Sequence, residues 1–253
     1  MKISIITPTF NSERFISSNV NSIKTQTFKN FEHIIIDNKS KDKTVEIIKN
    51  EGKNLKIISE SDNGIYDAFN KGIALAKGDV ISIINSDDYL ADDKVLENVI
   101  SVFNSHNIDI VYGNIRYVKR DNPNKVVRFC RSNPYVPKMF YLGWSPPHPS
   151  FFVKKKIYEK YGNFNTNFGN ASDFELMFRF LEKHRIKSFH LDDTMVIMRT
   201  GGASNKNIYE IIRQNITLMK ILSINKSIPM IIKFCISKFL NRIKQFINKY
   251  EQN

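Results

Sequence analysis

Short apolar runs alternate with amphipathic stretches along the first 90 residues of the chain. Four runs are almost continuously apolar, which is typical of strands buried on both faces of a mostly parallel sheet, and they cover residues 2–7, 32–37, 55–59 and 80–84. Apolar residues at helical spacing predict intervening helices that begin near residues 12, 44 and 65. Pro8 is expected to end the first strand. The alternation predicts an α/β fold, with a Rossmann-like, mostly parallel sheet flanked by helices.

Two of the predicted strands end in carboxylates. Asp37 ends the second strand, and Asp87 and Asp88 follow the fourth. The carboxyl ends of parallel strands meet at one edge of the sheet, which is where ligands bind in such folds. Neighbouring carboxylates repel each other, so a divalent cation that carries a phosphate ligand would explain the pair. The alternative is that Asp87 and Asp88 shape a turn or cap the helix near Asp92.

The second half of the chain is less regular. Helices are predicted over 96–104 and 174–181, and an antiparallel pair of strands over 109–118 and 126–131. Residues 133–149 are rich in proline and aromatic residues, and we expect a loop that shapes a cleft. Residues 199–204 contain two glycines and are a candidate flexible lid.

The last 49 residues predict a basic amphipathic helical tail, residues 205–253, that follows a domain over residues 1–204. This tail carries a net charge of +7 out of +13 for the chain, and Pro229 suits the first turn of a helix. One apolar stripe is formed by Ile232, Ile236, Phe239, Ile243, Phe246 and Tyr250. The stripe either packs on its own domain or on a second copy in a homodimer, or it lies on an anionic membrane surface, which we favour.

Composition and charge narrow the function classes that the chain can belong to. A net charge of +13 and a pI near 9.6 predict an anionic partner, which could be nucleic acid, a nucleotide or a lipid surface. The two cysteines have no metal-site spacing, which indicates a reducing compartment, and no apolar run has the length of a membrane span. A nucleic-acid-binding protein is disfavoured because the charge is concentrated on the tail and no binding motif occurs. A sugar nucleotidyltransferase is disfavoured because residues 7–11 lack glycine.

A series of motifs narrows this choice. They are Ile5–Asn11, Gln26–Asp37, Asn38–Thr44, Ser61–Gly72, Asn85–Asp88, His148–Phe151 and Ala171–Leu176. In this order they resemble glycosyltransferase family 2, the inverting sugar-nucleotide enzymes of the GT-A fold, over residues 2–204. The pattern departs from that of many members at Asn38 and Lys39, at Phe69 and at Asn85, where those members have acidic residues, glycine or arginine.

The resemblance implies a UDP-hexose or UDP-N-acetylhexosamine donor and a metal, Mn²⁺ or Mg²⁺. Asp37 would accept a hydrogen bond from the uracil N–H, Phe10 would lie against the base, and Asp88 with Asp87 would hold the metal. Asp173 would be the general base, and the alternative role for this residue is a plain helix cap. Further donor-site residues would be Thr7, Pro8, Asp67, Asn70, Lys71 and Arg199. The acceptor side would comprise His148, Trp144 and Ser172.

The same resemblance implies the acceptor and the location. The acceptor would be a lipid-linked saccharide of a bacterial surface polysaccharide, namely O-antigen, capsule or lipooligosaccharide. The enzyme would then be cytoplasmic and peripheral on the inner face of the cytoplasmic membrane, without a nucleic-acid partner.

Overall fold

The computed structural model describes residues 1–51, 55–201, 208–224 and 227–247. Within these residues a nine-stranded sheet has the spatial order β3-β2-β1-β4-β8-β6-β9-β5, with β7 beside β6. The strands are β1 (Ile3–Thr9), β2 (Phe31–Asp37), β3 (Leu55–Ser59), β4 (Val80–Ile83), β5 (Tyr89–Leu90), β6 (Ile110–Lys119), β7 (Asn122–Cys130), β8 (Phe152–Lys154) and β9 (Ser188–Arg199). The helices are α1 (Ile16–Lys24), α2 (Thr44–Asn50), α3 (Ile65–Leu75), α4 (Val95–Ser105), α5 (Lys155–Tyr161), α6 (Ser172–Phe178), α7 (Ile208–Ile221) and α8 (Ile228–Ile247).

The first four strands form the parallel half of the sheet that the apolar runs predict. β1 pairs in parallel with β2 on one side and with β4 on the other, and β3 continues beyond β2. The chain therefore builds outwards from β1 in one direction and then returns to its other side at β4. In open α/β sheets this reversal of strand order leaves a crevice at the carboxyl ends of the strands, where ligands bind.

The prediction that Pro8 ends the first strand is wrong, because β1 continues to Thr9. β4 pairs with β1 only as far as Ile6, so β1 has no strand neighbour on that side at Pro8. Proline, which has no backbone N–H to donate, is tolerated at such a position.

The second half of the sheet is mixed. The predicted antiparallel pair is confirmed as β6 and β7, while β6 also pairs in parallel with β9. The short strand β8 joins the two halves because it pairs antiparallel with both β4 and β6. The predicted loop over residues 133–149 contains a short 3₁₀ turn at Met139–Leu142 and ends in a second one at His148–Ser150. A π turn over Arg179–Lys183 extends α6.

The described part of the tail packs against the rest of the chain. Phe234 of α8 and Leu218 of α7 belong to the same buried cluster as Phe140 and Phe174. The predicted boundary between residues 204 and 205 lies outside the described residues, and the division into domain and tail stays a prediction. None of the helices that the structure describes is both long and apolar enough to cross a membrane.

The predicted apolar stripe of α8 points away from this core. Its described members are between 40% and 65% exposed: Ile232, Ile236, Phe239, Ile243 and Phe246. Tyr250, the last predicted member, lies outside the described residues. The helix thus buries one face through Phe234 and presents its apolar stripe on another.

Candidate active site

Asp37 lies at the carboxyl end of β2, where its carboxylate is enclosed by hydroxyl groups. Ser40 Oγ donates to Asp37 Oδ1 at 2.5 Å, and Ser59 Oγ donates to Oδ2 at 2.5 Å. The backbone N–H of Ser40 also donates to Oδ2, at 3.1 Å. Ser59 is the last residue of β3 and Ser40 lies in the loop after β2, so the ends of two neighbouring strands hold this buried carboxylate in place. Phe10, at the end of β1, is 55% exposed at the same edge of the sheet.

The segment Asn85–Asp88, which we call the acidic tip, follows β4 at the same edge. Asn19 of α1 holds it, because Asn19 Nδ2 donates to the carbonyl oxygens of Asn85 at 3.0 Å and Asp88 at 2.9 Å. Ser86 Oγ lies 2.8 Å from Ser12 Oγ, in the loop after β1. The tip is therefore tied to both the first strand and the first helix.

The Asp88 carboxylate is buried, with 1% of the residue exposed. Burial and then the negative charge of Asp87 raise the pKa of Asp88 well above its usual range. Asn85 Nδ2 donates to Asp88 Oδ2 at 3.2 Å, while the buried Asn85 Oδ1 receives no hydrogen bond. A buried carboxylate beside a buried amide oxygen without a donor is an arrangement that a cation would stabilise.

These oxygens fit a hard divalent cation. Carboxylate and amide oxygens are the ligands that Mg²⁺ and Mn²⁺ prefer, and the cation would relieve the repulsion between Asp87 and Asp88. Among the described residues no group of three acidic, histidine or cysteine side chains converges on one point. The tip can thus supply two carboxylates and the Asn85 amide oxygen, and phosphate oxygens of a ligand would complete such a site.

Two arginines neutralise part of the charge at the tip. Arg120, in the turn between β6 and β7, lies 3.3 Å from Asp87 Oδ2. Arg199, the last residue of β9, donates to the Asp87 carbonyl at 2.6 Å and lies over the rings of Phe15 and Tyr89 at 4.9 and 4.7 Å. Burial lowers the pKa of Arg199, while Tyr89 and then Asp87 oppose that change. Of the predicted lid, residues 202–204 lie outside the described residues.

A buried polar chain connects the sheet to the acidic tip. His33 Nε2 lies 2.9 Å from Thr7 Oγ1, and Thr7 Oγ1 lies 3.4 Å from Asn19 Oδ1. Since Asn19 also holds the carbonyls of the tip, Thr7 acts on the tip through Asn19 in this structure. Neighbouring Pro8 follows Thr7 inside β1.

The predicted donor-site residues of α3 are engaged within the protein. Asp67 accepts from the Asn63 N–H at 2.9 Å, and Lys71 pairs with Glu60 at 2.9 Å and with Asp67 at 3.7 Å. Asn70 donates to the Phe164 carbonyl at 2.9 Å and accepts from the Phe164 N–H at 3.0 Å. Contact of these three side chains with a donor stays a prediction.

Asp173 is the second residue of α6 and accepts from the Phe174 N–H at 2.7 Å. The negative charge of Asp173 acts on Tyr66 and on His148. Burial and then the charge of Asp173 raise the pKa of Tyr66, whereas burial lowers the pKa of His148 and Asp173 opposes that change. Both ring nitrogens of His148 are buried without a hydrogen-bond partner, and its ring lies 5.4 Å from that of Phe69. His148 near Asp173 thus has two ring nitrogens that make no hydrogen bond within the described residues.

The other residues predicted for the acceptor side have mixed surroundings. Trp144 stacks on Tyr135 at 6.0 Å, and its indole Nε1 is buried without a partner. Ser172 Oγ donates to the carbonyls of Asn165 and Gly169 at 2.8 and 2.7 Å. Its hydroxyl is therefore already used, and contact of Ser172 with an acceptor stays a prediction.

Sequence reasoning missed three residues that shape this site: Asn19, Arg120 and Tyr66. Asn19 left a signal, because it is a polar residue at a core position of an otherwise apolar helix face. Tyr66 lies in the motif Ser61–Gly72, but the motif alone does not predict that it lies near Asp173. Arg120 left no signal, because its position depends on how the turn between β6 and β7 folds over the tip.

Comparison with known proteins identifies the family. A family model described as "Glycosyl transferase family 2" matches residues 4–180. The chain belongs to glycosyl transferase family 2. The family match favours glycosyl transfer over nucleic-acid binding and over nucleotidyl transfer.

Two curated relatives illustrate the range of this family. An uncharacterized glycosyltransferase of Haemophilus influenzae is 34% identical over 139 residues, which are 53% of this chain and 55% of the relative. A PGL/p-HBAD biosynthesis glycosyltransferase of Mycobacterium bovis is 35% identical over 117 residues, which are 44% of this chain and 46% of the relative. The chain thus matches about half the length of these relatives.

Two solved structures share the fold. The S. aureus TarS structure with UDP-GlcNAc has a TM-score of 0.64 at 17% identity, over 98% of this chain and 81% of that one. Mannosyltransferase PcManGT from Pyrobaculum calidifontis, in complex with GDP-Man and Mn²⁺, has a TM-score of 0.62 at 17% identity, over 100% and 76%. At this identity the likeness shows the fold alone, and that fold is GT-A.

Proposed function

We propose that this protein is an inverting, metal-dependent glycosyltransferase that moves a hexose or an N-acetylhexosamine from a UDP-sugar. The sugar goes to a hydroxyl group of a lipid-linked saccharide in the synthesis of a surface polysaccharide. The observation that carries the proposal is the crevice beside β1, where Asp37 and the acidic tip share one sheet edge. The UDP-GlcNAc bound by TarS supports the donor class.

In this proposal the uracil lies at the end of β2. The Asp37 carboxylate accepts the uracil N–H after Ser40 or Ser59 releases one of its oxygens, and Phe10 covers the base. A bound Mn²⁺ or Mg²⁺ would supply Lewis-acid stabilisation of the diphosphate. Asp87, Asp88 and Asn85 would hold it, and Arg120 and Arg199 add positive charge beside the tip.

Asp173 takes the proton of the acceptor hydroxyl as its oxygen attacks the anomeric carbon. The bond between that carbon and the diphosphate oxygen breaks, and UDP departs with the electron pair. The attack comes from the face opposite to the leaving group, so the anomeric configuration inverts. His148 and Trp144, which have buried nitrogens without partners, are available to orient the sugar hydroxyls.

The proposed location is the surface of an anionic membrane. The stripe of α8 is exposed, and basic residues such as Lys233 and Lys244 lie on the same helix. An amphipathic basic helix of this kind lies in the interface of an anionic membrane with its apolar face buried.

The deciding experiment combines a donor panel with one variant. Purified protein with Mn²⁺ and each common sugar nucleotide should release nucleoside diphosphate from a UDP-sugar in preference to GDP-sugars. Asp173→Asn keeps the shape of the side chain and an oxygen that can accept from the Phe174 N–H, but it cannot accept the proton. It should bind the donor nearly as well as wild type and lose turnover by roughly a hundredfold or more.

Glu175→Gln is the matched control, since Glu175 carries a carboxylate on the same helix but pairs with Arg179 at 2.9 Å. An α-linked donor should give a β-linked product, which NMR of the new anomeric proton shows. Retention of the configuration, or near-normal turnover of Asp173→Asn, would contradict the assignment of the base.

A further inference from the structure

Three cationic side chains meet where α8 packs against β7, and we call Arg128, Lys238 and Arg242 the cationic cluster. Arg128 of β7 is only 9% exposed, and its guanidinium lies 3.7 Å from the centre of the Tyr117 ring and 5.8 Å from that of Phe246. Lys238 Nζ donates to Asn215 Oδ1 at 2.6 Å. Arg242 is exposed one helical turn further along α8, so a ligand can reach the cluster from that side.

No carboxylate lies within ion-pair distance of these charges in the described part of the chain, and Asp173 acts on Lys238 only at longer range. None of the three side chains forms an ion pair there with aspartate or glutamate. Burial and then the charge of Arg128 lower the pKa of Arg242, and burial and then Arg242 lower the pKa of Lys238 to about 8. Gathering like charges in a partly buried place is unfavourable unless an anion binds between them.

The cluster is linked electrostatically to both parts of the candidate site, the acidic tip and Asp173. Tyr117, under Arg128, interacts with the negative charge of Asp88, and Lys238 interacts with the charge of Asp173. The cluster also borders the exposed stripe of α8, because Phe246 belongs to that stripe and contacts Arg128. An anion held here would therefore lie next to the exposed apolar stripe and within electrostatic range of Asp173.

We infer that Arg128, Lys238 and Arg242 form a binding site for a phosphate group of the acceptor, an inference that rests on the proposed function. Guanidinium groups bind phosphate through paired, charge-assisted hydrogen bonds. A saccharide joined to a lipid through phosphate carries an anion directly beside an apolar chain, which is the juxtaposition that the cluster and the stripe provide. The diphosphate of the donor is the other source of the same chemistry, but it has no apolar chain.

The first test uses inorganic pyrophosphate as the probe and measures its binding to the full chain by isothermal titration calorimetry. EDTA is present throughout, so that metal at the acidic tip does not contribute. We expect pyrophosphate to bind and its affinity to be unchanged when UDP is added. Absence of binding, or displacement of pyrophosphate by UDP, overturns the assignment to the acceptor side.

The second test uses variants. Arg242→Gln changes an exposed residue and should weaken pyrophosphate binding by roughly tenfold or more, the loss expected for one charge-assisted pair. Arg128→Gln should do the same, with circular dichroism to verify its fold. Arg131→Gln is the matched control, because this exposed arginine pairs with Asp192 at 2.5 Å instead. Equal losses in all three variants would show a general effect of charge and overturn the site.

A third arm separates this inference from the proposed function. Two acceptors are compared that share one sugar and one alkyl chain, joined by a glycosidic bond in the first and through phosphate in the second. Arg242→Gln should raise KM for the phosphate acceptor alone and leave the affinity for UDP intact. Loss of UDP affinity would place the cluster at the donor. Failure of transfer with every donor, while pyrophosphate still binds, would contradict the proposed function and not the anion site.

Discussion

Mild acid should destabilise this protein, and replacement of His33 by glutamine should abolish a large part of that loss of stability. His33 is buried in β2, and burial lowers the pKa of its imidazole from 6.5 to about 3. Below pH 6.5 the unfolded chain therefore binds a proton at this residue, while the folded protein stays neutral there. Because the unfolded state binds more protons, the free energy of unfolding falls as the pH drops from 6.5 towards 3.

The size of the effect follows from the two pKa values. Each pH unit below 6.5 lowers the free energy of unfolding by about 1.4 kcal/mol, so the loss at pH 5.0 is about 2 kcal/mol. That is a large share of the total stability of an ordinary domain, which is roughly 5–15 kcal/mol. At pH 7.5 the contribution of this histidine is close to zero.

The assay is urea denaturation followed by circular dichroism at pH 7.5 and pH 5.0 and constant ionic strength. Glutamine can still form a hydrogen bond with Thr7 but does not titrate, so His33→Gln should lose about 2 kcal/mol less than wild type between the two pH values. His184→Gln, which changes an exposed histidine, is the control and should keep the wild-type difference. If His33→Gln also keeps it, His33 is not a neutral buried group and the reasoning fails.

Three further outcomes are expected. Asp88→Ala should abolish turnover, and EDTA should do so reversibly in the wild type, whereas full activity of the variant in EDTA would exclude a metal role. Gly72→Ala should destabilise the protein by up to about 2 kcal/mol in urea denaturation. The alanine Cβ would lie 2.3 Å from Ile6 Cγ2, and the overpacking cost of about 1–3 kcal/mol is offset in part by the helix preference for alanine of about 1 kcal/mol. Phe239→Ser should weaken binding to anionic vesicles without a loss of stability, whereas buried Phe234→Ala should cost about 3–5 kcal/mol of stability. Vesicle sedimentation that is the same for Phe239→Ser and wild type would contradict membrane docking.

The parallel half of the sheet could be predicted because its signals are local. Strands buried on both faces read as continuous apolar runs, and the carboxylates that follow them must share one edge once the strands are parallel. The mixed half of the sheet was only partly predicted. β8 has three residues, too few for a pattern, and β9 passes through Asp192 and Asp193, where its register with β6 shifts.

The site could be predicted only as far as its residues follow motifs. Asp37, Asp88 and Asp173 stand in stretches that resemble the family, whereas Arg120 reaches Asp87 from 33 residues away through the β6–β7 turn. Such a contact depends on long-range packing, and no pattern along the chain encodes it. The predicted roles of the donor- and acceptor-side residues remain proposals that the variants above can test.

Helix α8 carries two separate features, an exposed apolar stripe and two members of the cationic cluster. The apolar stripe draws attention because it repeats at helical spacing, yet the stripe is exposed and Phe234, off the stripe, is the residue buried in the core. Lys238 and Arg242 belong to the same helix, and Lys238 interacts with the charge of Asp173. If the stripe lies on a membrane and the cationic cluster holds a phosphate, one rigid helix sets the distance from the membrane surface to the candidate base. Removing the tail would also take Phe234 and Leu218 out of the core, so point variants are the sharper test. Phe239→Ser should impair transfer to a phosphate-linked lipid acceptor through loss of docking, and Arg242→Gln should impair it through loss of anion binding.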